Sequence, residues 1–339
     1  LEFKIADLKM AAQPFIFWSD AARNLGLGMQ NRLPPWKAMR GHIQTIVPYL
    51  FRRVSLPNSQ ILEIPTPDND VLYAEYWEGS NPGALAILSH GLEGSSSAVY
   101  IRALTKQFQQ AGWSVLAWNF RGCSGRINKT KRLYHSGSTE DLKTVFAFSF
   151  LKFQPRRIQL AGFSLGGNLT LVFLAREREF LKKYPLEKAL VVSPPLNLAA
   201  SSAKLDRWWN RIYRIRFLRD LKRKILLKEA QFPGHYPLKY LSDCRTLFDF
   251  DNNFTGPLHG FSGAEDYYFQ CSSMFYLTDI LTPTKILLAK NDPMLARGNY
   301  EDLLQANPRL DWQIEEEGGH CGFWGVKAAV WNPNQINLD

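Results

Sequence analysis

Short apolar runs recur along this chain at 61–64, 71–77, 84–89, 113–118, 158–163, 189–193, 285–289 and 311–314. Several lack polar alternation, as strands buried on both faces must. Between them lie patterns of helical period over 98–110, 139–152, 165–183, 296–306 and 323–331. Strand and helix in alternation predict an α/β fold, a mostly parallel central sheet flanked by helices. Ser138 and Asp141 have the spacing of a capping box that would open the second of these helices.

One segment breaks the rhythm. From 196 to 281 the patterns are helical and no buried strand is evident, and the stretch is too long for a connecting loop. It predicts an inserted, mainly helical cap over the carboxyl edge of the sheet, where open α/β sheets bind ligands. The expected organisation is a loop-rich N-terminal extension (1–55), a core made of 56–195 and 282–339, and the cap (196–281). Pro34, Pro35 and Pro48 punctuate the extension. Met10 is read as the natural start, and residues 1–9 are set aside.

The chain has 339 residues, 45% hydrophobic and 21% charged, which excludes a disordered or low-complexity protein. No apolar run reaches membrane-spanning length, and Phe15-Ile16-Phe17-Trp18 is too short for a signal-peptide core. Cys123, Cys244, Cys271 and Cys321 form no Cys-x-x-Cys pair, so reduced thiols in a cytoplasmic protein are expected, with no metal or other cofactor.

The net charge of +10 is concentrated. Ten basic residues lie between Lys204 and Lys228, opposed only by Asp206 and Asp220, so this segment carries +8 of the total. The remainder is near neutral, which argues against a nucleic-acid binder. Apolar residues recur within the segment at spacings of three and four. It reads as an amphipathic basic helix or helix pair, either a solvated face or a peripheral contact with an anionic membrane surface.

Gly162-Phe163-Ser164-Leu165-Gly166 sits between a strand pattern and a helix pattern. A sharp strand–turn–helix lifts a serine hydroxyl above the sheet edge, and the flanking glycines remove side chains that would collide there. Ser164 is the candidate nucleophile. The Leu165 amide at the helix N-terminus is a candidate oxyanion donor. His90-Gly91-Leu92 follows an earlier strand, and the Leu92 amide is the second candidate donor. His90 itself reads as a loop brace.

A serine hydroxyl is a weak nucleophile at neutral pH and needs a base, oriented by an acid. Asp292 follows the run 285–289 and precedes Pro293. His320 lies later, in Gly318-Gly319-His320-Cys321-Gly322. Asp292 and His320 are the candidate acid and base, with Asp266 and Asp279 as rival acids. Cys321 reads as a packing residue. An ordinary imidazole would place the loss of turnover at about pH 6 on acidification.

With these residues stand further blocks in order: Gly41-His42-Ile43-Gln44-Thr45, Asn119-Phe120-Arg121-Gly122, Tyr134-His135-Ser136-Gly137, Pro257-Leu258-His259-Gly260 and Glu265-Asp266-Tyr267-Tyr268. Together they resemble the YheT-like branch of the α/β-hydrolases. The resemblance implies an α/β-hydrolase fold and carboxylic-ester hydrolysis, with acylglycerols or medium-chain esters as substrates. It also carries the triad onto Ser164, Asp292 and His320. Two departures stand out. Arg40-Gly41 replaces the family's usual Asn-Pro, leaving the role of His42 open, and Asn291-Asp292 replaces Asp-Asp.

The expected function is that of a serine-dependent ester hydrolase working through an acyl-enzyme. The cap would supply an apolar acyl pocket, with Trp208, Trp209, Phe217, Phe232, Tyr236 and Phe248 as candidates. Two other readings remain open at this point: acyl transfer by the same triad, and an inactive lipid- or partner-binding module.

Overall fold

The computed structural model describes residues 35–296, 301–305 and 307–323. Eight strands form one sheet: β1 (Gln60–Pro65), β2 (Val71–Trp77), β3 (Asn81–Ser89), β4 (Trp113–Trp118), β5 (Arg157–Phe163), β6 (Leu186–Val192), β7 (Thr284–Ala289) and β8 (Leu310–Glu315). Their order is β1-β2-β4-β3-β5-β6-β7-β8. From β4 through β8 neighbouring strands are parallel, whereas β2 is antiparallel to both β1 and β4.

The helices used below are α1 (Pro35–Phe51), α2 (Val99–Gln110), α3 (Thr139–Phe153), α4 (Leu165–Arg176), α5 (Arg178–Leu181), α6 (Leu198–Leu205) and α7 (Arg211–Gln231). They cover both faces of the sheet. Leu85, Ile87 and Leu116 point toward Phe146 of α3 and Phe173 of α4. Their chain neighbours Ala86, Leu88, Val115 and Ala117 point the other way, toward Ile101 and Phe108 of α2. Burial on alternate sides explains why these strands read as unbroken apolar runs.

The structure departs from the sequence reading at three places. Within the supposedly loop-rich extension, residues 35–51 form α1. Pro35 stands at the first helical position, where a missing N–H costs nothing, and Pro48 lies in the last turn. The helix anticipated over 165–183 breaks at Glu177 into α4 and α5. The capping box is absent, because the Ser138 side chain makes no cap bond and instead accepts from the His135 amide. Asp141 is drawn inward by the buried Arg121 guanidinium, at 2.7 and 2.9 Å. Of the 296–306 pattern the described part is a turn of helix at Glu301–Leu304, and the 323–331 pattern lies outside the described residues beyond Phe323.

Between β6 and β7 the chain forms helices joined by turns and loops, with no strand. It holds α6, α7, an unbroken helical stretch over 247–258 and a helix at Ala264–Cys271. Residues of α6, α7 and the 247–258 stretch line the same cavity as Ser164, so this segment roofs the carboxyl edge of the sheet.

Candidate active site

Ser164 occupies the turn from β5 into α4 with φ 52° and ψ −122°, a backbone region that costs a non-glycine residue strain. The turn closes because its neighbours lack side chains. A Cβ on Gly162 would lie 2.3 Å from the Gly166 carbonyl oxygen, and one on Gly166 would lie 2.3 Å from that of His90. The strained residue is pinned on both sides: its amide donates to the Val192 carbonyl at 2.9 Å, and its carbonyl accepts from Gly167 and Asn168.

Three of the residues singled out in the sequence converge here. Ser164 Oγ lies 2.9 Å from His320 Nε2, and His320 Nδ1 lies 2.8 Å from Asp292 Oδ2. With Asp292 ionised, Nδ1 donates and Nε2 is left to accept the serine proton. The other carboxylate oxygen, Oδ1, accepts from the amides of Met294 and Leu295 at 2.8 and 3.1 Å. Burial pushes the Asp292 carboxyl up, but the His320 charge and hydrogen bond, Lys204 and the Met294 amide outweigh it and hold it below the usual range. Burial likewise opposes charge on His320, yet Asp292 beside it raises the imidazole well above its ordinary value.

The rival acids are elsewhere. Asp279 pairs with the exposed Arg178, and Asp266 accepts from the Ser262 amide and the Gln270 side chain. Cys321 packs its sulfur against the cluster that contains Val192 and Leu287.

Leu92 and Leu165 both border the cavity above Ser164. A Cβ on Gly91 would lie 3.1 Å from Ser164 Cβ, so the loop carrying Leu92 runs in contact with the serine. Neither the Leu92 nor the Leu165 amide donates to an acceptor among the described residues. His90 is fully buried, and both ring nitrogens are engaged: Nδ1 with the Gly91 carbonyl at 2.7 Å, and Nε2 accepting from the Phe120 amide at 3.1 Å. Burial lowers its pKa to about 3, so it stays neutral and holds the loop. The same loop is tied to α7 through Glu93, which meets Lys224 Nζ at 2.7 Å and the Tyr134 hydroxyl at 2.5 Å.

Sequence reasoning missed how the His320 loop is held. α1 reaches across the molecule to it. Thr45 Oγ1 accepts from the His320 amide at 2.8 Å and donates to the Gly41 carbonyl at 2.7 Å. Asn291 Oδ1 accepts from the Gly318 and Gly319 amides at 3.0 and 2.9 Å, while its Nδ2 donates to Gln44 Oε1 at 2.8 Å. Three successive loop amides are thus fixed by Asn291 and Thr45. Gly41 must be glycine for this contact, since a Cβ there would lie 2.0 Å from the Asn291 carbonyl oxygen. His42 Nδ1 lies 3.0 Å from the Tyr213 hydroxyl and links α1 to α7. The signals were present in the Gly-His-Ile-Gln-Thr block and in the asparagine before Asp292.

The cavity encloses about 800 Å3 including its open mouth. Its walls near the serine are apolar, with Leu92, Leu165, Leu198, Leu221 and Met294, whereas Ser202, Asp251 and Tyr268 form a polar patch. Of the six aromatics anticipated for an acyl pocket, only Phe217 lines it. Trp208, Trp209 and Phe248 are exposed, Tyr236 belongs to a packed cluster behind the cavity, and Phe232 lies at that cluster's edge. The sequence pattern could not show which side of each helix faces inward. No group of three or more His, Cys, Asp or Glu with metal-holding geometry occurs among the described residues.

Comparison with known proteins decides the family. The sequence profile of the alpha/beta hydrolase fold matches residues 87–325. The chain is 36% identical over 310 residues to a protein of Escherichia coli (strain K12) named "Putative esterase YheT", covering 88% of this chain and 90% of that one. The chain belongs to the YheT-like α/β-hydrolases. This YheT-like chain is also 29% identical over 254 residues to the monoacylglycerol lipase of Saccharomyces cerevisiae, covering 72% of this chain and 56% of the yeast protein. To the bovine phospholipase ABHD3 it is 25% identical over 284 residues, with coverage of 80% and 65%. Among solved structures, an esterase of Pyrococcus furiosus superposes with a TM-score of 0.53 at 17% identity, covering 78% of this chain and 83% of that one, which speaks to the fold alone. These relatives place the YheT-like chain among esterase- and lipase-like hydrolases.

Proposed function

We propose that the protein hydrolyses carboxylic esters of acyl chains through a covalent acyl-enzyme on Ser164. The observation that carries this reading is the continuous relay from Ser164 Oγ through His320 to Asp292, with heavy-atom separations of 2.9 and 2.8 Å. His320 Nε2 takes the hydroxyl proton as Ser164 Oγ bonds to the ester carbonyl carbon. The resulting oxyanion is met by the Leu92 and Leu165 amides, at the start of α4 where the helix dipole favours negative charge. Collapse breaks the bond to the alcohol oxygen, which leaves with the proton held by His320. A water then repeats the sequence: it gives its proton to His320, attacks the acyl carbon and releases the acid, and the proton returns to Ser164. Asp292 keeps Nδ1 protonated and stabilises the imidazolium throughout.

The apolar walls beside Ser164 suit an acyl chain, and the polar patch of Ser202, Asp251 and Tyr268 suits a hydroxyl-bearing alcohol portion. Acylglycerols combine both features, and the yeast relative is named a monoacylglycerol lipase, whereas the bovine one is named a phospholipase. The test is labelling with an active-site-directed fluorophosphonate alongside turnover of monoacylglycerols of graded chain length. Wild type should label and release free acid, and Ser164→Ala should lose labelling and at least about 10^4-fold in turnover. Folded wild type that neither labels nor turns over any ester of the series would overturn the reading. Transfer of the acyl group to an added alcohol in preference to water would reassign the triad to acyl transfer.

A further inference from the structure

The helix that carries most of the protein's net charge buries two lysines beside Tyr213, Phe217, Leu218 and Ile225, yet leaves several aliphatic side chains in water. Lys224 and Lys228 of α7 are 6% and 0% exposed, whereas Ile212, Ile215 and Leu226 are 61%, 51% and 52% exposed. The buried lysines have partners: Lys224 meets Glu93 and Cys123, and Lys228 donates to the carbonyls of Asn128 and Thr130. Burying charge while leaving branched aliphatics in water runs against ordinary amphipathic construction, so the outer face needs its own explanation.

That outer face is a single stripe. Residues 212, 215, 219, 223 and 226 follow one another at three- and four-residue steps. Along it Ile212 and Ile215 are followed by Arg219 and Arg223 and then Leu226, and Arg211 lies beside them, also exposed. At the N-terminal end stand Trp208 and Trp209, with the Arg207 guanidinium over the Trp209 ring. The acidic groups of the helix are already committed. Asp220 is paired with Arg219, and Glu229 accepts from the amides of Gly234 and Tyr236. The opposite side of the same helix contributes Phe217 and Leu221 to the cavity above Ser164.

We propose that this stripe docks the protein on an anionic lipid bilayer. Isoleucine and leucine side chains would enter the boundary between headgroups and acyl chains, tryptophans would sit at the interface, and the arginines would pair with headgroup phosphates, with Arg219 exchanging its Asp220 partner for one. Charge selects this occupant over a second copy of the chain. A two-fold contact between identical stripes would set one row of arginines against the other. Docking would lay the roof of the cavity against the surface that holds lipid esters. The binding itself does not depend on the hydrolytic reading, so it is measured on Ser164→Ala as well as wild type.

The experiment is flotation of the full chain with phosphatidylcholine vesicles and with phosphatidylcholine–phosphatidylglycerol vesicles, at low and high salt. Two triple variants accompany it, Arg211→Glu/Arg219→Glu/Arg223→Glu and Ile212→Ser/Ile215→Ser/Leu226→Ser, each checked for folding by thermal unfolding. Wild type and Ser164→Ala should float with the anionic vesicles and release as salt rises. The charge variant should lose at least about a hundredfold in partitioning, since losing three arginines alone costs roughly fivefold each and the glutamates add repulsion. The serine variant should lose binding at both salt levels. Absence of flotation by wild type, or flotation unchanged in both folded variants, would overturn the proposal. So would a concentration-dependent dimer in wild type that the serine variant abolishes without any vesicle binding, which would assign the stripe to a second copy.

Discussion

Replacing Asp292 by asparagine isolates the tautomer argument, because the surrounding hydrogen bonds dictate how the new side chain must sit. Oδ1 of Asp292 accepts from two backbone amides, Met294 and Leu295. An NH2 group there would face two N–H donors, so the asparagine carbonyl oxygen must take that position. Its NH2 is then directed at His320 Nδ1, 2.8 Å from the present Oδ2. A donor at that point requires a lone pair on Nδ1, which moves the imidazole proton to Nε2. Nε2 now points an N–H at Ser164 Oγ and can no longer accept its proton. The imidazolium formed in the transition state also loses its counter-charge. Together these should lower kcat by about 10^4-fold, or about 5.5 kcal/mol of activation free energy, with KM little changed. The same number of hydrogen bonds survives, so the unfolding transition should stay close to that of wild type. Steady-state kinetics on a soluble ester, with nitrogen NMR of His320 to read the tautomer, checks both halves. A folded Asp292→Asn enzyme that kept more than about a tenth of wild-type kcat, or that retained the Nδ1 proton, would refute the assignment.

Three further outcomes are expected. Because Asp292 raises His320 well above an ordinary imidazole, the base stays protonated to higher pH, so the acid limb of kcat/KM should lie above pH ~6.5, higher than the imidazole alone suggests; a limb at or below ~6 in a full pH–rate profile would contradict it. Thr45→Val keeps shape but strips the acceptor from the His320 amide, and should lower kcat by about tenfold to a hundredfold while leaving KM in place, with Thr45→Ser restoring most of the loss; equal turnover in wild type and Thr45→Val would show that α1 does not position the base. Lys224→Met leaves Glu93 buried without its ammonium partner and should cost about 3–5 kcal/mol in urea unfolding, most of it recovered in Lys224→Met/Glu93→Gln; no recovery in the double variant would mean the loss comes from packing alone.

How legible the protein was depends on the range over which each interaction acts. The parallel sheet, the strained turn at Ser164 and the places of Ser164, Asp292 and His320 could be read because each rests on local steric or hydrophobic rules. A strand covered on both faces needs an unbroken apolar run, and a residue held at φ 52° needs glycine two positions before and after it. The bracing of the site could not be read this way. Thr45 and His320 are 275 positions apart, and Gln44 and Asn291 are 247 apart, so no window on the sequence contains both partners. The proline punctuation that suggested a loop in the extension hid the helix carrying Gln44 and Thr45.

Orientation was the second blind spot, and α7 shows why. Apolar and basic residues occur on every side of this helix, so its periodicity alone cannot separate an inner face from an outer one. The separation depends on what lies opposite: Glu93 from the loop after β3 and the Asn128 and Thr130 carbonyls draw Lys224 and Lys228 inward. Once two lysines are committed to the core side, the aliphatics at 212, 215 and 226 are turned out by the helical repeat. The exposed stripe and the ionic tether to the loop after β3 are therefore two consequences of one rotation of the helix about its axis. The two properties should respond separately. Serine at 212, 215 and 226 should abolish vesicle binding and leave Lys224–Glu93 intact. Methionine at 224 should weaken folding without changing the outer stripe.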